Sequence, residues 1–416
     1  MAVDGTITDE YVSQEAIAGS DVILTIDANL QAVTEEALKN NIQKISSGGF
    51  GETYDTNSGA MVVMNVKTGE VLAMASYPTI DPNKFIGGIS TQDWNAYRDD
   101  PGKPLINKAI AGEYPPGSIY KMVTAVAGLE TETITTTTKI NDVGQYKEVA
   151  NTSPACWLWN SKRRGHGWLN VSQAIQHSCN YFFYDVGNKI GIDTLEKYSR
   201  YFGLGNETGI ELTEEKSGKL NHRVEGETWY PGYTLSAAIG QKDNAFTPLQ
   251  MAKYASILVN GGKKVNPTIL KTIQNQDGTE VSKEEIEKYL NEKFGIVQDE
   301  TENLNINSEN LKAVLEGMRS VTSETGGTAY SVFKDFDIEV GGKTGSAQAG
   351  DRTHGWFLGF APFNDPEIAV VVVIDNGGHG SYTAEAAKEV IAQYFGMNAN
   401  QVNEDVSAKP SVEIQN

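Results

Sequence analysis

Ser118 and Lys121 stand three residues apart in Tyr114-Pro115-Pro116-Gly117-Ser118-Ile119-Tyr120-Lys121, just after a Pro-Pro-Gly bend. If a helix starts at the bend, the two side chains share a face. A serine hydroxyl is a weak nucleophile until a neighbouring base takes its proton. Lysine can be that base only when burial or nearby cations lower its pKa. Taken alone, Ser-x-x-Lys also describes a capped surface helix with a solvated lysine. Two further elements give it partners: Ser178-Cys179-Asn180 between two helical patterns, and Lys343-Thr344-Gly345-Ser346 on a strand-like run opened by Val340-Gly341-Gly342.

Ser-x-x-Lys, a Ser-x-Asn element and Lys-Thr-Gly form the motif set of penicillin-binding proteins and class A β-lactamases. Over nearly its whole length the chain resembles the class B, monofunctional penicillin-binding proteins. The residues that carry this resemblance are Leu24-Thr25-Ile26-Asp27 with Leu30-Gln31, Asn107-Lys108-Ala109, Thr247-Pro248-Leu249-Gln250 and Trp356-Phe357-Leu358-Gly359-Phe360-Ala361-Pro362. Gly165-His166-Gly167 and Trp229-Tyr230-Pro231-Gly232 are most similar to the elongation and sporulation branches.

The resemblance implies a D,D-transpeptidase that cross-links peptidoglycan stem peptides and is acylated by β-lactams. Ser118 would attack the penultimate D-Ala carbonyl, with Lys121 as base and the Ser118 and Ser346 backbone N–H groups as oxyanion hole. Ser178 would relay a proton, Asn180 would bind the substrate amide, and Lys343 would hold Ser178. Thr344 and the Ser346 hydroxyl would bind the terminal carboxylate, with Gly345 admitting the substrate backbone. The chemistry needs no cofactor. A membrane glycosyltransferase is the expected partner in the full-length protein, at the extracytoplasmic face of the bacterial membrane. A β-lactam sensor or scaffold, and a D,D-carboxypeptidase or β-lactamase, are the rival readings.

Both cysteines and two of the five histidines fall in one stretch: Cys156, His166, His177 and Cys179. Two thiolates and two imidazoles can hold a structural zinc that braces the Ser178 loop. The spacing is not that of a zinc finger. A Cys156–Cys179 disulfide, or plain buried side chains without metal, fits it too, and His354 or His379 could replace a member of the set.

These residues need a scaffold. Apolar spacing predicts an amphipathic helix over 29–45 behind Asp27, a hairpin of 59–66 and 70–76 about Lys67-Thr68-Gly69, and helices at 122–129, 171–176, 181–190 and 248–259. A charged, turn-rich stretch at 262–300 precedes a helix at 308–321, strands at 338–347, 355–361 and 368–374, and a helix at 382–394. Sheet elements at both chain ends around a helical insertion give an α/β (α+β) fold. The resemblance makes it the transpeptidase and serine β-lactamase-like fold, with a mainly antiparallel five-stranded sheet, helices on both faces and an inserted all-α lobe. The expected division is a linker or pedestal remnant at 1–23 and a transpeptidase domain at 24–397. Within that domain the α/β lobe takes about 24–100 and 305–397 and the helical lobe about 101–300. A mobile tail is expected at 398–416.

Totals bound the partners. The 416 residues hold 34 Lys and Arg against 54 Asp and Glu, and a net charge of -20 repels nucleic acid and anionic lipid. No apolar run of about 18 residues or signal-peptide pattern occurs, so any membrane anchor is expected outside this sequence.

Overall fold

The computed structural model describes residues 19–297 and 303–397. The tail at 398–416 and most of the 1–23 segment lie outside the described residues. Strand β1 (Asp21–Leu24) leads into α1 (Ala28–Ser46), capped where Asp27 accepts the Leu30 N–H at 2.8 Å. One stripe of α1 is buried: Leu30, Ala37, Leu38, Ile42 and Ile45. Next come β2 (Gly59–Asn65) and β3 (Val71–Tyr77). Asn65 Oδ1 closes their hairpin by accepting the Lys67 and Thr68 N–H groups at 2.9 and 3.1 Å. Gly69 completes it at φ 81°, where a Cβ would lie 2.1 Å from the Asn266 carbonyl.

The middle of the chain holds α2 (Thr91–Asp99), α3 (Lys108–Ala111), a 3-10 turn (Gly117–Tyr120) running into α4 (Lys121–Glu130), β4 (Ile140–Asp142), α5 (Trp157–Lys162) and β5 (Gly167–Leu169). It continues through α6 (Val171–Gln176), α7 (Asn180–Tyr201), α8 (Pro231–Ala238), α9 (Pro248–Val259), β6 (Leu270–Gln274), α10 (Lys283–Phe294) and α11 (Ser308–Ser323). The chain returns through α12 (Tyr330–Phe333) to β7 (Gly341–Ala349), β8 (Arg352–Ala361), β9 (Ile368–Ile374) and α13 (Gly380–Tyr394).

Strands β3-β2-β9-β8-β7 form one five-stranded sheet, antiparallel at every pair. It joins both ends of the sequence, as the resemblance implied. Helices α1 and α13 cover one face, α3 and α9 the other. All seven residues of β9, Ile-Ala-Val-Val-Val-Val-Ile, are therefore buried. Strand β7 lies at the sheet edge, against the 3-10 turn and α11.

The charged stretch at 262–300 contains more order than its composition announced. Its β6 pairs with β1 in a separate two-stranded sheet, and α10 is capped by Ser282. No residue of α10 is buried, which agrees with a solvated face.

Candidate active site

Pro115-Pro116-Gly117 delivers the serine into a tight 3-10 turn, in which positions three apart nearly eclipse. Ser118 and Lys121 thus share a face more closely than an α-helix would set them. Position 117 favours glycine: its φ is 54°, and a Cβ would meet the Ala347 Cβ at 3.0 Å. Its N–H donates to the Gly240 carbonyl at 2.9 Å, while Trp356 Nε1 donates to the Pro115 carbonyl at 2.8 Å. These two bonds fix the turn between the helical lobe and the sheet.

Ser178, Cys179 and Asn180 form the junction of α6 and α7. Helix α6 starts at an Asn170–Gln173 capping box, and α7 at Cys179, whose Sγ accepts the Phe182 N–H. Ser178 itself sits at φ 51°, unusual for a residue with a side chain and costing ~1 to 3 kcal/mol. Its hydroxyl is thereby turned toward two lysines. Lys121 Nζ donates to Ser178 Oγ at 3.1 Å, the Ser178 carbonyl at 2.9 Å and Asn180 Oδ1 at 2.6 Å. Lys343 Nζ donates to the same Ser178 Oγ at 2.9 Å and to the Thr344 carbonyl at 2.9 Å.

Both lysines are 0% exposed, and neither is paired with a carboxylate among the described residues. Two buried ammonium groups around one hydroxyl are costly, so the protons are weakly held. Burial lowers Lys121 from 10.5 to about 8, against a smaller opposing pull from Cys156 and Cys179. Burial, and then the neighbouring Lys121 charge, pushes Lys343 well below 10.5.

On β7, Thr344 and Ser346 alternate to the face opposite Lys343. Thr344 Oγ1 lies 2.5 Å from Thr328 Oγ1, and Ser346 Oγ accepts the Gly380 N–H at 3.1 Å while its side chain stays exposed. A Cβ on Gly345 would lie 3.1 Å from the Pro116 carbonyl, so glycine lets the strand close on the serine turn. Strand β7 is the edge strand of the sheet, the position at which an extended peptide can join as a further strand. Residues that spacing alone did not reveal support this arrangement: Thr328 and Gly240, whose contacts arise only on folding.

Beside the Ser178 loop, Cys156, His166 and Cys179 gather, but His177 is not the fourth member. Its ring stacks on His166 at 5.7 Å and its Nδ1 faces the Gly326 carbonyl. Asp142 takes that place, because β4 pairs with β5 and sets Asp142 opposite Gly167. The turn is tight: a Cβ on Gly165 would lie 2.0 Å from the Asp142 carbonyl. His354 pairs with Asp375 and His379 caps α13, so neither joins the group.

Donor atoms of Asp142, Cys156, His166 and Cys179 lie within 4.8 Å of one another. Sγ–Sγ is 4.0 Å, Cys156 Sγ to His166 Nδ1 3.6 Å, and Cys179 Sγ to Asp142 Oδ2 3.3 Å. A tetrahedral zinc with ~2.0 to 2.3 Å bonds needs edges of roughly 3.3 to 3.8 Å; the 3.6 and 3.3 Å edges meet this, and the 4.0 Å Sγ–Sγ edge would have to close by roughly 0.2 Å. The Asp142–His166 edge, 2.6 Å, is a hydrogen bond that would open by less than an ångström or so. The two thiols are free. The bond from Cys179 draws Cys156 down to about 5, whereas burial pushes Cys179 well up, so a bound metal would displace the Cys179 proton. Burial opposes both charges of the Asp142–His166 pair, yet their mutual bond prevails, holding Asp142 at about 2 and His166 at about 9.

Two buried lysines thus meet at one serine hydroxyl beside the edge strand of the sheet. The penicillin binding protein transpeptidase domain matches residues 59–395, and the chain belongs to that family. The peptidoglycan D,D-transpeptidase MrdA of Escherichia coli K12 is 32% identical over 395 residues, covering 90% of this chain and 57% of that protein. Stage V sporulation protein D of Bacillus subtilis is 32% identical over 366 residues, covering 86% and 50%. The relatives match the elongation and sporulation branches. The crystal structure of Pseudomonas aeruginosa PBP2 in complex with WCK 5153 superposes with a TM-score of 0.78 at 34% identity, covering 91% of this chain and 79% of that one. The chain spans about half the length of the curated relatives it matches.

Proposed function

We propose that this chain is the catalytic region of a peptidoglycan D,D-transpeptidase. The single observation that carries the reading is the Ser178 hydroxyl held between the buried amines of Lys121 and Lys343, with Lys121 three residues after Ser118 at the end of the 3-10 turn. Lys121, as free amine, takes the Ser118 proton while Oγ bonds to the penultimate D-Ala carbonyl carbon. Backbone N–H groups of Ser118 and Ser346 receive the oxyanion, at ~3 to 4 kcal/mol each. The peptide C–N bond then breaks, and Ser178 passes a proton to the departing D-Ala amine. An amine from a second stem attacks the resulting ester, joining the two stems and returning the proton to Ser118. Asn180 would orient the substrate amide, and Thr344, Gly345 and Ser346 would hold the carboxylate end along β7.

No step calls for a cofactor. A structural zinc on Asp142, Cys156, His166 and Cys179 would brace the Cys179 cap that sets Ser178 and Asn180. The domain division at about 24–397, a membrane glycosyltransferase partner and a place at the extracytoplasmic face belong to the same proposal. Among the described residues no helix is long and apolar enough to cross a membrane. The test is a stem pentapeptide donor with a separate amine acceptor. Cross-linked dimer plus released D-Ala supports transpeptidation, whereas D-Ala release without dimer would assign a carboxypeptidase.

A further inference from the structure

Between α11 and α12 the chain turns through Gly326-Gly327-Thr328, and this turn touches two parts of the site. Gly326 holds φ 89°, and a Cβ on Gly327 would lie 2.3 Å from the Ser320 carbonyl, so the chain folds back tightly on the last turn of α11. The Ala329 N–H donates to the Val321 carbonyl at 3.0 Å and pins the return. On one side the Gly326 carbonyl faces His177 Nδ1 at 3.2 Å, beside Ser178. On the other, Thr328 Oγ1 lies 2.5 Å from Thr344 Oγ1, beside Lys343.

Thr344 is buried, and among the described residues Thr328 is the only hydrogen-bond partner of its hydroxyl. Each hydroxyl has one proton to give. When Thr344 gives its proton to Thr328, only lone pairs remain for an incoming anion. When Thr328 is the donor, the Thr344 proton is free. A carboxylate only accepts, and one carried by a ligand laid along the edge strand β7 lies within reach of side chains from either face. It selects the second arrangement, a chain from the Thr328 hydroxyl through the Thr344 hydroxyl to the carboxylate, in which each bond polarises the next.

We propose that Thr328 is a positioning residue for carboxylate recognition: its hydroxyl donates to Thr344 and turns the Thr344 proton toward the carboxylate of a bound stem peptide or β-lactam. The proposal rests on the transpeptidase reading, in which Thr344 meets that carboxylate. Thr328 touches no reacting atom and acts through Thr344. Its effect is selectivity for an acid over the neutral ester of the same ligand, because a hydrogen bond to a charged acceptor is roughly twice as strong as one to a neutral acceptor.

The test is acylation by a labelled penicillin and by its methyl ester, each read as kinact and KI. Wild type should prefer the acid. Thr328→Val keeps the side chain's shape and drops the hydroxyl. In it, KI for the acid should rise about tenfold while kinact changes by less than about threefold, and the acid-to-ester preference should fall to match. Thr328→Ser restores the hydroxyl and should return the preference to within about threefold of wild type. The ratio is taken within each protein, so a change in folded fraction cancels. An unchanged preference in Thr328→Val overturns the proposal. So does a loss that Thr328→Ser shares, which would assign the effect to shape. Wild type acylated at Ser118 equally well by acid and ester also overturns it, while leaving the transpeptidase reading in place.

Discussion

The lowered pKa of Lys121 makes the pH dependence of acylation quantitative. The amine titrates at about 8 rather than 10.5, because burial penalises the ammonium form. A shift of this size raises the free-amine fraction near neutrality ~300-fold, from a few parts in ten thousand to about a tenth at pH 7. The sign follows from the folded value being depressed: the working base gains population as pH rises through about 8, and below that it falls tenfold per pH unit. Between pH 6 and pH 8 the acylation rate constant should therefore rise about 50-fold, then level off. Stopped-flow acylation by a fluorescent penicillin in buffers of constant ionic strength measures this directly. A rate independent of pH over that span, or still climbing tenfold per unit above pH 10, would refute Lys121 as a base tuned by burial.

Three other outcomes follow from the geometry. Ser178→Ala removes the hydroxyl between the two amines and should lower acylation by about 10²- to 10⁴-fold with little change in β-lactam affinity, read from the kinact and KI of labelled penicillin. Gly240→Ala would place a Cβ 2.2 Å from the Gly117 carbonyl at φ 74°, so acylation should drop with a melting temperature lower by several degrees, seen by calorimetry. In protein purified without added zinc, elemental analysis should find about one metal per chain, retained in His177→Ala and lost in Asp142→Ala. Metal-free wild type would remove the zinc proposal.

Legibility differed with the distance over which each contact acts. The β2–β3 hairpin and the Ile-Val run of β9 were visible because period and turn chemistry are local. Helix α9 was bounded correctly at 248–259 by apolar spacing, and in the structure a Thr247–Gln250 capping box starts it. Strand β6 was hidden because Leu-Lys-Thr-Ile-Gln alternates weakly, and its partner β1 lies some 250 residues earlier in the chain. The catalytic set could be named because its motifs are short, but the sharing of Ser178 by Lys121 and Lys343 spans 57 and 165 residues and needs the fold. Asp142 was missed for the same reason: an isolated acid at a strand end carries no ligand spacing until β4 meets β5. His177 was chosen for its proximity in sequence, yet the helix end of α6 turns it to Gly326.

Intact-protein mass spectrometry after exposure to a β-lactam tests the central claim most directly. Wild type should gain the mass of one intact antibiotic per chain, mapped by peptide sequencing to Ser118, and Ser118→Ala should gain none. Undiminished adduct on Ser118→Ala, or an adduct mapped to another residue in wild type, would contradict the assignment of Ser118 as nucleophile.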